Sequence, residues 1–481
     1  MAINEYASVC TFDCPDTCSL TVSVDEGRVV KVRGSNAAPY TAGVICNKVA
    51  RDMGDFVHGP QRLLHPLRRT GPKGSGQFER ISWDAALDEI HERVSDIVGR
   101  WGPEAVMPLN YAGPHGFLAG DSMSSRFFNR LGATQLYRRA LCGGVRSEAW
   151  AGTYGVVPGC PPEFAERAKL NVVWGNNATV ANLHLVRCIR KSKRAGGRLV
   201  VVDPLRTKIA EQADLHLQLL PGTDILLAWS VAAELERSGS LDTAFIAANV
   251  LGAEQFMALA RQWPAARAAA ACGLPETQIL TFARWLAEAE PLVLAPGNGL
   301  ERGRNGGSGI RAAIALPALL GKLGKGSGIV LGASNAFPKT PARLQRPDLT
   351  PAGTRTLNIN DIGRHLAKDD IDPPLRAVHL QPQPDRRAPR PEPDATRPRS
   401  PGRLCCRHRA HDDRKHDPLR RGAAGSNELR MRRPLSVLRS SLAAARRGGD
   451  SAIGRVLAEH RDLPSPCRAL RLRGAVLDGY R

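Results

Sequence analysis

Residues 170–204 read LNVVWGNNATVANLHLVRCIRKSKRAGGRLVVVDP, and this stretch predicts a β-α-β unit. Two short apolar runs flank a helical segment that ends at Gly196-Gly197. Strands joined by such a crossover run parallel, and ligands of parallel sheets bind at the carboxyl ends of the strands. The sequence therefore predicts a ligand site near Asn177 and Asp203, where the two strands end.

Two later loops have the composition of anion-binding turns. Pro221-Gly222-Thr223-Asp224 follows a short apolar strand, and Thr223 can cap the next helix and offer its amide end to a phosphate. The second loop is rich in glycine, which lets backbone amides approach an anion closely. Its candidate residues are Gly297, Asn298, Gly299, Asn305 and Gly306. One such loop alone is more often a structural connection, so the prediction depends on several loops meeting at one sheet edge.

Four cysteines in the first fifty residues, Cys10, Cys14, Cys18 and Cys46, form a C-x3-C-x3-C-x27-C array. Three thiolates from one loop and a fourth from a distant segment can close around an iron–sulfur cube. Structural zinc more often takes two separated pairs, and buried free thiols would lie in an apolar run rather than among turn-forming residues. The array favours a [4Fe-4S] cluster over zinc, beside a β-hairpin predicted over residues 20–32.

Length and composition indicate a globular protein of two to four domains, with 481 residues of which 42% are hydrophobic. No stretch reaches the roughly 18 consecutive apolar residues of a membrane span. The start shows neither a signal peptide nor a twin-arginine signal, so the expected location is the cytoplasm, where cysteines stay reduced.

The net charge of +21 is concentrated near the end of the chain. Residues 378–481 hold 24 Lys and Arg against 11 Asp and Glu, whereas residues 1–377 hold 43 against 35. Few aliphatic residues and a single aromatic residue predict a disordered tail. An arginine-rich arm that binds nucleic acid is the alternative, but the near absence of lysine and of basic blocks argues against that partner.

Taken together, residues 1–377 resemble the molybdopterin and tungstopterin oxidoreductases that carry bis-molybdopterin guanine dinucleotide, a group that includes formate dehydrogenases and dimethyl sulfoxide reductases. The cysteine array resembles the N-terminal [4Fe-4S] domain of that family. Cys46-Asn47-Lys48 is similar to the family's C-x-K, whose lysine lies between cluster and pterin. Outside the family context, Lys48 would be interpreted as a solvated surface lysine.

The loops also resemble family motifs. Trp174-Gly175-Asn176-Asn177 is similar to the W-G-x-N turn that contacts the guanine dinucleotide phosphates, Asp203-Pro204 to the guanosine-binding D-P, and residues 221–224 to P-G-T-D. The loop 297–307 resembles the one that supports the second half of the cofactor. The cofactor-binding residues that the resemblance implies are Trp174, Gly175, Asn177, Asp203, Pro204, Pro221, Gly222, Thr223, Asp224, Gly297, Asn298, Gly299, Asn305 and Gly306.

The resemblance further implies one protein ligand to the metal, and Cys142, before Gly143-Gly144, falls where that ligand is expected. A thiolate is a good soft ligand, and the glycines leave room for a bulky cofactor. The alternative is a buried apolar cysteine after a strand. Residues 145–148 depart from the small residues common in the family, so the substrate pocket is expected to differ.

The implied activity is transfer of an oxygen atom or hydride equivalent at molybdenum or tungsten, with Cys142 and Lys48 as catalytic residues. Electrons would pass through the cluster to an electron carrier or redox subunit, and the substrate would be a small molecule. A non-catalytic iron–sulfur electron-transfer module is the alternative. The predicted fold is α/β, with a small β-rich iron–sulfur domain over residues 1–60 and a Rossmann-like parallel-sheet core over 61–377. This core contains a dinucleotide-binding subdomain at about 165–330.

Family members continue for several hundred residues and end in a β-barrel domain. Here we expect residues from about Val378 to be out of frame, so that this β-barrel is absent. If the codons of residues 379–384 are read from their second nucleotide, they can encode I-Y-N-H-N-P. The codons of residues 422–435, read in the same way, can encode V-L-P-A-A-T-S-F-E-C-D-D-L-Y. Both products are similar to family segments. A truncated core would leave a large cofactor partly open to water, which would impair activity.

Overall fold

The computed structural model describes residues 3–12, 14–60, 62–72, 74–111, 122–138, 143–155, 159–303, 305–330, 340–368, 371–375, 377–380 and 404–407. The strands are β1 Asn4–Val9, β2 Ser19–Asp25, β3 Arg28–Gly34, β4 Leu67–Arg69, β5 Phe78–Arg80, β6 Val106–Leu109, β7 Gln135–Tyr137, β8 Leu170–Trp174, β9 Arg198–Val202, β10 Leu215–Leu217, β11 Leu292–Pro296, β12 Gly328–Ile329, β13 Thr356–Asn358, β14 Ala377–Leu380 and β15 Leu404–Arg407. The helices are α1 Asn47–His58, α2 Trp83–Trp101, α3 Ser122–Leu131, α4 Gly144–Tyr154, α5 Ala178–Ala181, α6 Leu183–Arg194, α7 Asp224–Arg237, α8 Thr243–Asn249, α9 Ala253–Ala260, α10 Ala265–Cys272, α11 Glu276–Glu288, α12 Gly306–Leu319, α13 Pro341–Gln345 and α14 Ile362–Lys368.

The central sheet is parallel and has the strand order β10-β9-β8-β11-β12. Trp174 pairs with Val202 on one side and with Pro296 on the other, so three strands end at the same level. This arrangement confirms the predicted Rossmann-like α/β fold. The order reverses between β8 and β11, and a crevice at such a switch point is where open α/β sheets bind ligands.

Residues of β8 alternate between two cores, because successive side chains of a strand point to opposite faces. Val172 and Trp174 pack with residues of α7, α11 and α12, whereas Val173 packs with residues of α6. The strand is therefore buried along its whole length, as expected for a sheet covered by helices on both faces, and its one polar residue, Asn171, donates to Ala165 and Ser192. The predicted crossover helix is divided into α5 and α6 at Asn182, whose backbone is not helical.

The N-terminal sheet is antiparallel with the order β1-β2-β3, and α1 packs on β3. Its core contains Leu20, Val22 and Val32 from the strands and Val49 and Met53 from the helix. The structure thus has the predicted hairpin beside the cysteine loop, together with β1, which the sequence pattern did not reveal.

A further parallel sheet has the order β15-β14-β6, and β7 pairs with β13. The expected boundary at Val378 falls inside β14, which lies between β6 and β15. Residues 381–403 and 408–481 lie outside the described residues, so the predicted disorder and reading-frame change of the tail stay predictions. In the part of the chain that the structure describes, no helix is both long and apolar enough to cross a membrane.

Candidate functional site

The first part of the site is the cysteine loop between β1 and β2. Cys10 donates its amide to the carbonyl of Cys18 at 2.8 Å, which closes the loop, and Cys46 stands at the N-terminus of α1. Burial, together with charge on Cys10, Cys14, Asp16 and Cys46, raises the pKa of the Cys18 thiol to about 12, so the other three thiols lie within electrostatic reach of Cys18. Thiols placed in this way are difficult to ionise unless a cation binds them.

The four cysteines form no disulfide among the described residues, and together they offer the all-thiol donor set that an iron–sulfur cluster requires. Across the described ranges, no three His, Cys, Asp or Glu side chains already converge as a closed metal-ligand set. The chain therefore fits a cluster by the chemistry of its four thiol donors, three of which share one loop. Lys48, in the first turn of α1, lies close enough for its charge to favour the thiolate of Cys14, although burial dominates and raises the pKa of that thiol.

A buried contact missed from the sequence joins the cysteine loop to the α/β core. The His184 ring on α6 has its Nδ1 2.9 Å from Asp16 Oδ2, while Nε2 lies 3.0 Å from the Val44 carbonyl and 4.0 Å from Cys18 Sγ. Burial works against a charged ring, but the Asp16 carboxylate and the Val44 carbonyl outweigh it, so the pKa of His184 is raised. Residues 18 and 184 are 166 positions apart, and no local pattern links them.

The second part of the site is the carboxyl edge of the central sheet, where three loops contact one another through backbone. The amide of Gly175 donates to Val202, that of Gly297 to Trp174 and that of Gly299 to Gly175, at 2.8 to 2.9 Å. A Cβ atom at residue 297 would lie 2.4 Å from the Gly175 oxygen, and one at residue 299 would lie 2.6 Å from it. The glycines at 297 and 299 thus permit close packing of the loops. Their amides bond within the protein, which corrects the interpretation that they are free for an anion.

Asp203, which follows β9, is buried at this edge. Its Oδ1 accepts a 2.9 Å hydrogen bond from the amide of Leu205, while burial raises the pKa of the carboxyl group. A carboxylate removed from water is costly unless it gains further hydrogen bonds, so Asp203 suits the N–H edge of a bound base or a ribose hydroxyl. The carbonyl of the adjacent Pro204 accepts from Gln218 Nε2 at 3.0 Å.

The loop 221–224 reaches the same edge through Asp224. The indole N–H of Trp174 donates to Asp224 Oδ1 at 2.8 Å. Thr223 occupies the N-cap position of α7, but its hydroxyl donates to the Leu220 carbonyl at 2.7 Å and does not cap the helix. The predicted side-chain cap is therefore wrong, because the turn uses that hydroxyl itself. Asn177 stands at the N-terminus of α5, where its Oδ1 accepts from the Thr179 hydroxyl.

The third part of the site is the start of α4. Cys142, the proposed metal ligand, lies outside the described residues, whereas Gly143 and the helix that follows are described. Glu301, whose side chain is fully enclosed, accepts from the amide of Arg146 at 3.0 Å, and the Arg146 guanidinium donates to the Pro296 carbonyl at 3.2 Å. This pair joins α4 to the loop after β11. No local sequence pattern reveals this contact, because 155 residues separate the partners.

Asn298, Asn305 and Gly306 lie in the loop that connects β11 to α12. Asn305 is the N-cap residue of α12, although its side chain makes no capping hydrogen bond. A Cβ atom on Gly306 would meet the Leu300 oxygen at 2.5 Å, so this glycine also serves close packing. The structure thus brings the loops after β8, β9, β10 and β11 to one edge, with the buried carboxylate of Asp203 and the half-buried one of Asp224.

Comparison with known proteins shows what the N-terminal cysteine region and the α/β core resemble. Residues 3–59 match the model of the molybdopterin oxidoreductase Fe4S4 domain, and residues 62–370 match that of molybdopterin oxidoreductase. The chain is 35% identical over 377 residues to the probable oxidoreductase YoaE of Bacillus subtilis, which covers 78% of this chain and 55% of that protein. It is 27% identical over 431 residues to the dimethyl sulfoxide reductase DmsA of Haemophilus influenzae, which covers 77% and 52%.

Among solved structures, acetylene hydratase from Pelobacter acetylenicus superimposes with a TM-score of 0.66 at 23% identity, and this match covers 78% of this chain and 56% of that one. At this identity the likeness concerns the fold. The chain spans about half the length of the curated relatives that it matches.

Proposed function

The chain belongs to the molybdopterin oxidoreductase family, and from this premise we propose that it binds a [4Fe-4S] cluster together with a molybdenum or tungsten bis-molybdopterin guanine dinucleotide. The proposed activity is oxidation or reduction of a small molecule by transfer of an oxygen atom or hydride equivalent. When bound, the pterin metal would supply this two-electron chemistry, and a cluster held by the four cysteines would supply one-electron transfer toward an outside carrier.

Four thiolates of this chain would hold the cluster: Cys10, Cys14, Cys18 and Cys46. Their loop is closed by its own backbone bond and packed against the hydrophobic core of the N-terminal sheet, so three of the four ligands are held on one fixed loop. The positive charge of Lys48 beside Cys14 supports its proposed place on the electron route between cluster and pterin. The partner would be an electron carrier or a redox subunit, and a cytoplasmic location suits four reduced thiols.

The carboxyl edge of the sheet would hold the guanine dinucleotide. Asp203 is suited to the guanine or ribose edge, because a buried carboxylate gains from each N–H or O–H that it accepts. Asn177 and Asp224, which lie in neighbouring loops, would line the phosphate path together with residues 221–223. Direct backbone hydrogen bonds between the loops hold the edge in place.

The single observation that carries the proposal is the convergence of three loops at one switch point of a parallel sheet, with the cysteine loop attached to the same core through α6. Cys142 is the proposed metal ligand, and the buried Glu301 fixes the described residues that follow it. The departure from family pattern at Arg146 would alter the nearby substrate pocket.

Cofactor analysis of the full chain tests the proposal. The protein is produced anaerobically in a host that makes the pterin cofactor, and iron, sulfide, molybdenum, tungsten and released guanine nucleotide are measured per chain. We expect about four irons, with pterin and guanine nucleotide present. In Cys14→Ser iron falls, whereas the control Cys160→Ser, a cysteine outside the array, keeps it.

Two other results would change the assignment. Iron without pterin would support a non-catalytic electron-transfer module instead. Zinc in place of iron, with no guanine nucleotide, would contradict both the cluster and the dinucleotide site.

A further inference from the structure

A buried network joins the cysteine loop to the α/β core. Asp16 stands in that loop between Cys14 and Cys18, and its Oδ2 lies 2.9 Å from the His184 ring on α6. Only 1% of the His184 side chain and 3% of the Asp16 side chain are exposed. The Tyr40 hydroxyl donates to Asp16 Oδ1 at 3.3 Å. Because water is excluded and the carboxylate has two partners, the position of the histidine ring is well defined.

The surroundings of the second ring nitrogen show that it carries a hydrogen. His184 Nε2 lies 3.0 Å from the Val44 carbonyl oxygen, and a carbonyl oxygen can only accept. The same edge of the ring faces Cys18 Sγ at 4.0 Å. The ring thus presents a partially positive N–H edge to one of the four sulfurs assigned to the cluster.

We propose that His184 is a positioning residue that raises the reduction potential of the cluster, and that Asp16 orients its ring. This role rests on the proposed iron–sulfur cluster and is independent of the pterin. Hydrogen bonding and charge around the ligand sulfurs set cluster potentials, and a positive N–H edge stabilises the negative charge added on reduction. The Asp16 carboxylate opposes that added charge, so replacing Asp16 and replacing His184 should shift the potential in opposite directions.

A purely structural role is the competing explanation, since His184 also holds α6 against the cysteine loop. Cys188 provides a matched control, because it lies one helical turn further along α6 and is fully buried in the same core. Its replacement by alanine disturbs the packing of α6 and leaves the ring beside Cys18 in place. A potential that responds to His184 and not to Cys188 therefore separates tuning from packing.

The experiment uses the full chain, purified anaerobically with its cluster. Dithionite supplies the electron, and the midpoint potential is followed by the electron paramagnetic resonance signal of the reduced cluster. We expect a lower potential in His184→Leu, a value nearer to wild type in His184→Gln, whose amide nitrogen can replace Nε2–H, and a higher potential in Asp16→Asn. Cys188→Ala should keep the wild-type potential. In every variant the iron content reports whether the cluster is present, and circular dichroism reports whether the chain is folded.

The outcomes separate this role from the proposed function. Shifts of equal size in His184→Leu and Cys188→Ala would overturn the tuning role. If His184→Leu loses its cluster, Asp16→Asn decides, and a wild-type potential in that variant overturns the role. A wild-type chain without a [4Fe-4S] signal removes the proposed cluster together with this role, whereas a cluster insensitive to these substitutions removes the role alone.

Discussion

The indole N–H of Trp174 donates a 2.8 Å hydrogen bond to Asp224, and this bond ties the end of β8 to the first turn of α7. The Trp174 side chain is fully buried, packs near Phe282 and depends on Asp224 to satisfy its single donor. Burial raises the pKa of the Asp224 carboxyl group, and the indole bond only partly offsets this effect. Two motifs that are separate in sequence are therefore coupled in the fold.

This coupling predicts a pH-dependent effect of Asp224→Asn on stability. A carboxyl group whose pKa is higher in the fold than in the unfolded chain, ordinarily 3.8, costs stability once the pH rises above that ordinary value. Asparagine keeps an acceptor for Trp174 and never ionises. The variant should therefore become more stable relative to wild type as the pH rises from about 4 to about 7, measured by urea unfolding of the cofactor-free chain.

Asp348→Asn is expected to change the pH dependence of stability in the opposite direction. Its pKa is lowered by the guanidinium of Arg346, so Asp348→Asn should lose stability relative to wild type over the same pH range. A difference between Asp224→Asn and wild type that does not vary with pH would show that the carboxyl group is no harder to ionise in the folded chain.

Loss of the Glu301 carboxylate should destabilise the fold strongly. Glu301→Ala removes the carboxylate that accepts from the buried Arg146 amide and lies 3.9 Å from the guanidinium Nε, and leaving a buried donor without its acceptor costs about 1 to 3 kcal/mol. In the double variant Arg146→Met/Glu301→Leu much of this loss should be recovered, because two apolar side chains replace the charged pair.

Glu288, an exposed residue paired with Arg284, is the control for Glu301. Its replacement by alanine should change the free energy of unfolding by less than about 1 kcal/mol. Equal unfolding free energies for the two alanine variants would mean that the buried pair contributes nothing beyond an exposed one.

Asp203→Asn should reduce the guanine nucleotide content of the purified chain at least about tenfold, which corresponds to about 1.4 kcal/mol of lost binding. The amide can still accept from Leu205, but its NH2 group would face the N–H donors of a guanine edge. Nucleotide released by acid is measured per chain.

Asp214 is the matched control for Asp203, because it accepts from the amide of Leu199, at the start of β9 and thus at the opposite edge of the sheet. Asp214→Asn should keep its nucleotide. Equal loss in both variants would assign the effect to general weakening of the sheet.

Local patterns in the sequence were sufficient to predict the parallel sheet and the loops at its carboxyl edge. Apolar runs and turn residues act over a few positions, so β8, β9 and β11 and the loops after them could be located in advance. The contacts Asp16–His184 and Arg146–Glu301 could not, because each joins residues more than 150 positions apart and no periodicity connects them. The helix break at Asn182 was also missed, since the segment has the composition of one helix.

Restoring a shifted reading frame from about codon 378 should produce a chain with more pterin and metal. In the reported frame β14, Ala377–Leu380, lies beside β6, whose Met107 and Leu109 are buried, so an apolar strand is favoured there. The shifted reading after residue 378 offers I-Y before an N-P turn, which suits such a strand.

The experiment compares the frame-restored chain with the reported chain and with one that ends at residue 377. The metal content, the guanine nucleotide content and the viologen-linked activity are measured for each. The reported chain and the chain that ends at residue 377 should have equal metal content, nucleotide content and activity, because the present tail would add nothing to the cofactor site. An independent isolate with the same frame, together with relatives that share this tail, would refute the shift.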